Sequence, residues 1–205
     1  MRSVCCTVFL ALLMLLSTQS AEAEISPSLI NAMREGGYIL YVRHGEATAG
    51  ADLPIIVFSD CSTQRNLSEP GRRQAAAYGK ALRSLNIHLD LPVSASPFCR
   101  TRETAGLAFG EQNVRVDDFW INIYRLSRGL PSAEQESVLN ALTTVLEMKP
   151  PEGKNKVIVA HSFPRGLALG HIPNMGTVVI KPLGRGNGYE VAAEISFEEL
   201  EEFVR

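Results

Sequence analysis

Apolar positions along the chain switch between two periods. Residues 38–42 (YILYV) and 156–160 (KVIVA) are short, nearly continuous apolar runs, the pattern of strands covered on both faces. Residues 91–94 and 114–116 suggest two more strands, and residues 177–181 and 189–195 two last ones, turned by a glycine-rich stretch at 184–188. The intervening segments carry helix punctuation. Ser26 and Pro27 read as an N-cap and first helical residue, and Gly36-Gly37 ends that helix. Ser68 caps a helix that runs to about Ser84, with Pro70 in its first turn. Further helices are expected over 98–109 and 132–148, the second stopped by Pro150-Pro151 and Gly153. Ser196 caps a short acidic helix at the end. Residues 45–66 show neither period and read as a polar, irregular stretch. Strands alternating with helices predict an α/β sheet with helices on both faces.

The first 23 residues follow a different rule. Arg2 gives a positive start, residues 4–16 are apolar apart from Thr7, and Ala21-Glu22-Ala23 offers small residues where a signal peptidase reads. The expectation is a secretory signal over 1–23 and one domain over 24–205. The apolar run is shorter than a membrane span requires. The chain has 205 residues, 45% hydrophobic and 20% charged, which suits a single folded domain. A formal net charge of −2 argues against a nucleic-acid partner bound through electrostatics. Cys5 and Cys6 leave with the predicted signal, whereas Cys61 and Cys99 remain. An exported chain with two thiols invites one disulfide, two separate thiols being the alternative. Such a bridge closes a loop of about 39 residues and contributes ~3–4 kcal/mol in the chain-entropy account.

Two apolar strands end directly in a histidine, His44 and His161. In open α/β sheets the ligand site lies beyond the carboxyl ends of the strands. Arg43 precedes His44, and Arg100 follows Ser96-Pro97 just after another strand, so two histidines and two arginines converge on one sheet edge. Guanidinium forks match phosphate oxygens. A neutral imidazole is a nucleophile, and flanking arginines disfavour its charged form. Gly45 allows close approach of backbone to a ligand.

Four ordered stretches carry these residues: Arg43-His44-Gly45-Glu46 (RHGE), 66–75 (NLSEPGRRQA), 96–105 (SPFCRTRETA) and Val159-Ala160-His161-Ser162 (VAHS). In these the chain resembles the histidine phosphatase superfamily, which includes phosphoglycerate mutases and phosphohistidine phosphatases. The resemblance implies a phosphoglycerate mutase-like three-layer α/β sandwich with a mostly parallel mixed sheet. It implies His44 as the nucleophile that becomes phosphohistidine, Arg43 and Arg100 as holders of the phosphoryl group, and His161 completing the pocket. Asn66 and Ser162, within matching motifs, are candidate substrate contacts. No cofactor or metal is implied. His88 and His171 match no motif and read as structural or exposed.

The family's acidic proton donor has no obvious counterpart. Ser162 and Phe163 stand where one branch places it, and no glutamate falls in 117–122, where the other branch does. Glu46, Asp60, Asp117 and Asp118 are the carboxylates open to that role. General-acid assistance is worth ~10²–10⁴-fold for a poor leaving group such as a sugar hydroxyl and matters little for a good one, so phosphohistidine and acyl phosphates stay among the candidate substrates.

A signal sequence joined to a small domain of this kind resembles the lipopolysaccharide core heptose phosphate phosphatases. The resulting expectation is a periplasmic or secreted phosphomonoesterase acting on a small phosphorylated substrate, an envelope sugar among the candidates. A non-catalytic phosphate-binding module and a protein phosphohistidine phosphatase are the alternatives.

Overall fold

The computed structural model describes residues 25–205, so the expected signal lies outside the described residues. Six strands form one mixed sheet: β1 (Ile39–Arg43), β2 (Leu89–Ala95), β3 (Val114–Val116), β4 (Asn155–Ala160), β5 (Thr177–Pro182) and β6 (Tyr189–Ile195), in the order β3-β2-β4-β1-β5-β6. The first four strands of that order run parallel, whereas β5 is antiparallel to both of its neighbours.

The period-2 geometry of strands explains the continuous apolar runs. Leu40, Val42, Val157 and Val159 join one buried cluster, whereas Ile39, Tyr41, Ile158 and Ala160 join another on the opposite face. The first cluster is closed by α1 (Pro27–Glu35), α2 (Glu69–Ser84), α3 (Cys99–Phe109) and α6 (Phe197–Phe203). The second is closed by α4 (Ile121–Ser127) and α5 (Ser132–Leu146). The three-layer α/β expectation therefore holds. Among the described residues no helix is long and apolar enough to cross a membrane.

Local chemistry sets the boundaries. Ser26, Ser68 and Ser196 each accept a backbone N–H at a helix start, and Ser196 with Glu199 completes a reciprocal capping box. Phe98 occupies the N-cap of α3 rather than its first turn, and α5 stops at Leu146, two residues short of expectation. Strand β2 is longer than expected, and its register against β4 shifts between Asp90 and Ser94, where Pro92 has no N–H to offer. The sequence reading missed α4. At seven residues it is too short for a sustained period, yet Trp120, Ile123 and Leu126 fall on one buried face. Residues 45–66 are irregular as expected, apart from an isolated bridge between Ala49 and Asn66 and a 3₁₀ turn at Cys61–Thr63.

One crossing fixes the start of α2 against the turn after β1. A Cβ at Gly45 would lie 2.6 Å from the Gly71 carbonyl oxygen, and one at Gly71 would collide with the carbonyl of Glu46. Neither glycine is needed for its φ; both are needed for backbone-to-backbone approach. Gly71→Ala is therefore expected to destabilise the fold by about 1–3 kcal/mol, as overpacking typically does. Chemical denaturation checks this, with an unchanged midpoint counting against the crossing.

Candidate active site

Register brings the two histidines together. Arg43 pairs with Ala160 across β1 and β4, so the next residues, His44 and His161, leave the sheet side by side. Their rings meet edge to face at 5.5 Å between centroids, and both are almost fully buried. Ala95 pairs with Val159, which places Ser96 beside His161; its Oγ lies 3.0 Å from His161 Nε2. The neighbouring helix α3 begins at Cys99 and sets Arg100 in its first turn. A cleft of about 290 Å³ results, lined by Arg43, His44, Arg65, Arg100, Tyr124 and His161, with Ser162 and His171 on its wall.

Charge and hydrogen bonding fix the state of His44. Its Nδ1 lies 2.7 Å from the Gly45 carbonyl oxygen, a contact that requires the proton on Nδ1. Burial first, then the positive charge of Arg100, Arg43 and Arg65, holds its pKa well below the usual imidazole value, against the opposing Gly45 carbonyl. His44 is thus a neutral imidazole with its lone pair on Nε2. His161 is pushed down in the same direction, by burial, by His44 and by the same arginines. Its ring packs against Phe98 and Tyr124 at 4.7 and 5.6 Å between centroids.

The arginines are held from behind. Arg43 Nη1 donates to the Ile172 carbonyl at 2.7 Å, and Arg65 Nη1 donates to the Ala47 carbonyl at 2.8 Å. Arg100 is 1% exposed; Nη1 donates to Asp52 Oδ1 at 3.0 Å and to the Arg65 carbonyl at 3.2 Å. Its guanidinium also sits over the Phe98 ring, 4.4 Å from the centroid. The Nε–H groups of Arg43 and Arg100 are buried without an acceptor. Buried donors rarely stay unpaired, and an anion in the cleft is the acceptor this arrangement suits. Among the described residues no group of three or more His, Cys, Asp or Glu side chains is placed to hold a metal ion.

Not every expected residue joins the cleft. Asn66 turns away: its Nδ2 donates to the carbonyls of Cys61 and Gln64, and it lines a different groove. That groove, about 760 Å³, runs along α3 and β3 past Arg102 and Leu107; it is the larger hollow but contains neither histidine. Ser162 lines the cleft while its Oγ accepts the Ile172 N–H at 2.8 Å. His171 is exposed as expected, yet it borders the cleft.

Each of the four candidate carboxylates is engaged elsewhere or faces solvent. Glu46 accepts from Ser68 Oγ at 2.6 Å, Asp60 caps the 3₁₀ turn at Cys61–Thr63, Asp117 caps a second such turn, and Asp118 faces solvent. Arg65, Asp52 and Tyr124 were missed, the first two because the irregular loop gives no period by which to orient its side chains. Cys61 and Cys99 form a disulfide beside Arg100, fastening that loop to the start of α3.

The sequence profile of the Histidine phosphatase superfamily (branch 1) matches residues 39–124. That span includes Arg43, His44 and Arg100, while His161 lies beyond it. No curated protein matches the sequence. Among solved structures, the fold is similar to a protein of Escherichia coli K-12 provisionally assigned as an alpha-ribazole-5'-P phosphatase. The two share 14% identity at a TM-score of 0.54, over 79% of this chain and 98% of that one. It is also similar to phosphoserine phosphatase of Entamoeba histolytica in complex with 3-phosphoglyceric acid, with 17% identity and a TM-score of 0.50, over 80% and 98% of the two chains. The likeness to the histidine phosphatase superfamily read from the motifs is borne out, and the architecture is that fold.

Two neutral buried imidazoles have a cost in acid. Both folded pKa values lie below the unfolded value, so the unfolded chain binds more protons as pH falls through about 6.5. Stability is full above that pH. It is expected to fall on acidification by up to about 1.4 kcal/mol per pH unit for each histidine until the folded form also protonates. Denaturant unfolding at pH 7 and pH 5 measures the slope, which His161→Ala should reduce; an equal slope in the variant would remove His161 as a source.

Proposed function

We propose that this chain is a phosphatase that hydrolyses a phosphomonoester through a phosphohistidine on His44. The observation that carries the reading is a neutral imidazole, with Nε2 as its free nitrogen, buried among three guanidiniums in one cleft. In this reading the phosphoryl oxygens take the unpaired Nε–H groups of Arg43 and Arg100, and Arg65 adds a third positive charge. The lone pair on His44 Nε2 attacks phosphorus and the leaving oxygen departs on the far side. His161 stands beside the transferring group as a donor and offsets its charge without having to reorient. Water then attacks the phosphohistidine, returning His44 and releasing phosphate. The reaction so drawn uses no cofactor and no metal.

The substrate in this reading is small, since the cleft is narrow, and a phosphorylated sugar of the cell envelope is the preferred class. Activity outside the cytoplasm rests on the predicted signal over 1–23 and is weakly supported by the disulfide.

The test is phosphate release from an aryl phosphate by the purified chain with a chelator present. Release is expected to survive the chelator and to fall by more than about 10³-fold in His44→Ala, the scale on which nucleophile removal acts. Retention of activity by His44→Ala would refute the covalent route. Arg100→Ala should weaken vanadate binding by about 10–100-fold, the value of a charge-assisted hydrogen bond; unchanged affinity would take Arg100 out of the site.

A further inference from the structure

Residues 53–58 (LPIIVF) are six consecutive apolar residues inside the stretch expected to be polar and irregular. The structure leaves most of them on the surface. Ile55 is 77% exposed, Leu53 48% and Val57 43%, and Pro54 is exposed as well. The segment is held in place. The Leu53 N–H donates to the Thr63 carbonyl at 3.0 Å, the Val57 N–H donates to Thr63 Oγ1 at 3.0 Å, and Gln64 Nε2 donates to the Val57 carbonyl at 3.0 Å. Phe58 turns inward onto Phe98, with 5.1 Å between ring centroids. Both ends of 53–57 are thus fastened, and its apolar side chains stay in solvent. None of residues 53–58 lines the cleft or the larger groove, so they are not the wall of a hollow. Asp52, immediately before them, pairs with Arg100 and accepts from Tyr124, which places the segment at the mouth of the cleft.

Charge around that mouth has one sign. Arg43, Arg65 and Arg100 line the cleft, and its liners Ser127 and Pro164 are followed directly by the exposed Arg128 and Arg165. Residues 124–130 and 162–174, which complete the rim, contain no Asp or Glu. Arg125 is spent on Glu134. Within 45–66, Asp52 is paired with Arg100, Glu46 accepts from Ser68, and Asp60 caps a 3₁₀ turn. The whole chain carries −2, so this face is positive against an acidic remainder. Exposed apolar side chains beside arginines suit an anionic lipid surface, where the former enter the acyl boundary and the latter meet the headgroups. We infer that residues 53–57 and the arginines around the cleft seat its mouth on an anionic lipid bilayer, as a surface contact and not a span. A second copy of the chain fits the patch poorly. A stable pair needs about 800 Å² from each partner, roughly 20–30 residues, whereas the exposed apolar residues here are Leu53, Pro54, Ile55 and Val57. Docking does not depend on the phosphohistidine reading, and its test reads no turnover, so either can fail without the other.

The test places a reporter on the segment itself. Ile55→Trp adds an indole there, and Trp120, the chain's own tryptophan, is 1% exposed and gives a constant background. The substituted position is exposed, and an unchanged denaturation midpoint shows the fold intact. Emission of the full-length variant is followed as vesicles are added, made either of phosphatidylcholine alone or of equal parts phosphatidylcholine and phosphatidylglycerol. A blue shift with the mixed vesicles is expected, at an affinity about 10-fold or more above that for the neutral ones, since each arginine near an anionic surface contributes about a factor of five. Leu53→Ser together with Val57→Ser, in the same background, should weaken binding about 10-fold or more. No shift with either vesicle, or equal affinity for the two, overturns the proposal. Full affinity in the double serine variant overturns the part given to the segment. A shift that appears without lipid as the protein is concentrated overturns the bilayer in favour of a second copy.

Discussion

The site depends on a guanidinium that has been taken almost wholly out of water. Removing a charge of that size from solvent costs several kcal/mol unless partners are supplied. Arg100 receives three: the Asp52 carboxylate, the Arg65 carbonyl and the Phe98 ring, with its Nε–H left over. Each of these must be delivered by chain that has no regular structure or only a helix end. This explains the dense fastening of residues 45–66. The Gln64 side chain, itself buried, accepts the Cys99 N–H at 2.9 Å and donates to the Val57 carbonyl at 3.0 Å. The disulfide ties the same two segments covalently one residue before Arg100. Loop, bridge and helix start thus act as one support for a single charge.

The sheet supplies the other half of the geometry. Parallel pairing of β1 with β4 fixes which residues emerge together, so a one-residue slip would separate His44 from His161 and also turn every core side chain to the wrong face. The hydrophobic clusters on the two faces therefore hold the register of the two histidines as a by-product of burial. Tyr41 links the two roles directly: its ring lies in the core against Trp120, and its hydroxyl donates to the His161 carbonyl at 2.8 Å. Strength of packing and placement of the imidazole are the same constraint at this residue.

This division also explains what the sequence disclosed. Regular elements announce themselves by period and punctuation, so YILYV, KVIVA and the serine caps place the strands, the helix starts and hence His44 and His161 to within a residue or two. Arg43 and Arg100 follow because they are adjacent to those elements. Asn66 was misplaced for the opposite reason. It lies in a matched motif, but its side chain is spent on loop carbonyls, and a motif gives spacing without direction. Asp52 and Arg65 sit 13 positions apart in a loop and meet through a backbone N–H to carboxylate contact, which no local pattern encodes. Tyr124 lies on a helix too short to show its face. The unread part of the site is thus the part built by tertiary hydrogen bonds.

The same electrostatics set limits on how such a site is stabilised. Among the described residues Asp52 is the carboxylate that pairs with Arg100, and burial, reinforced by the positive charge of Arg100, Arg43 and Arg65, keeps both imidazoles neutral. Adding a second carboxylate would relieve the arginines and stabilise the empty fold, but it would raise the imidazole pKa values and occupy the donors an anion needs. Removing Asp52 would strand Arg100 without its counter-charge. One carboxylate therefore supports the buried Arg100 while leaving both imidazoles neutral and the cleft short of negative charge. In the proposed function the remaining deficit is what a phosphoryl group would fill, so binding and folding would draw on the same unbalanced charge.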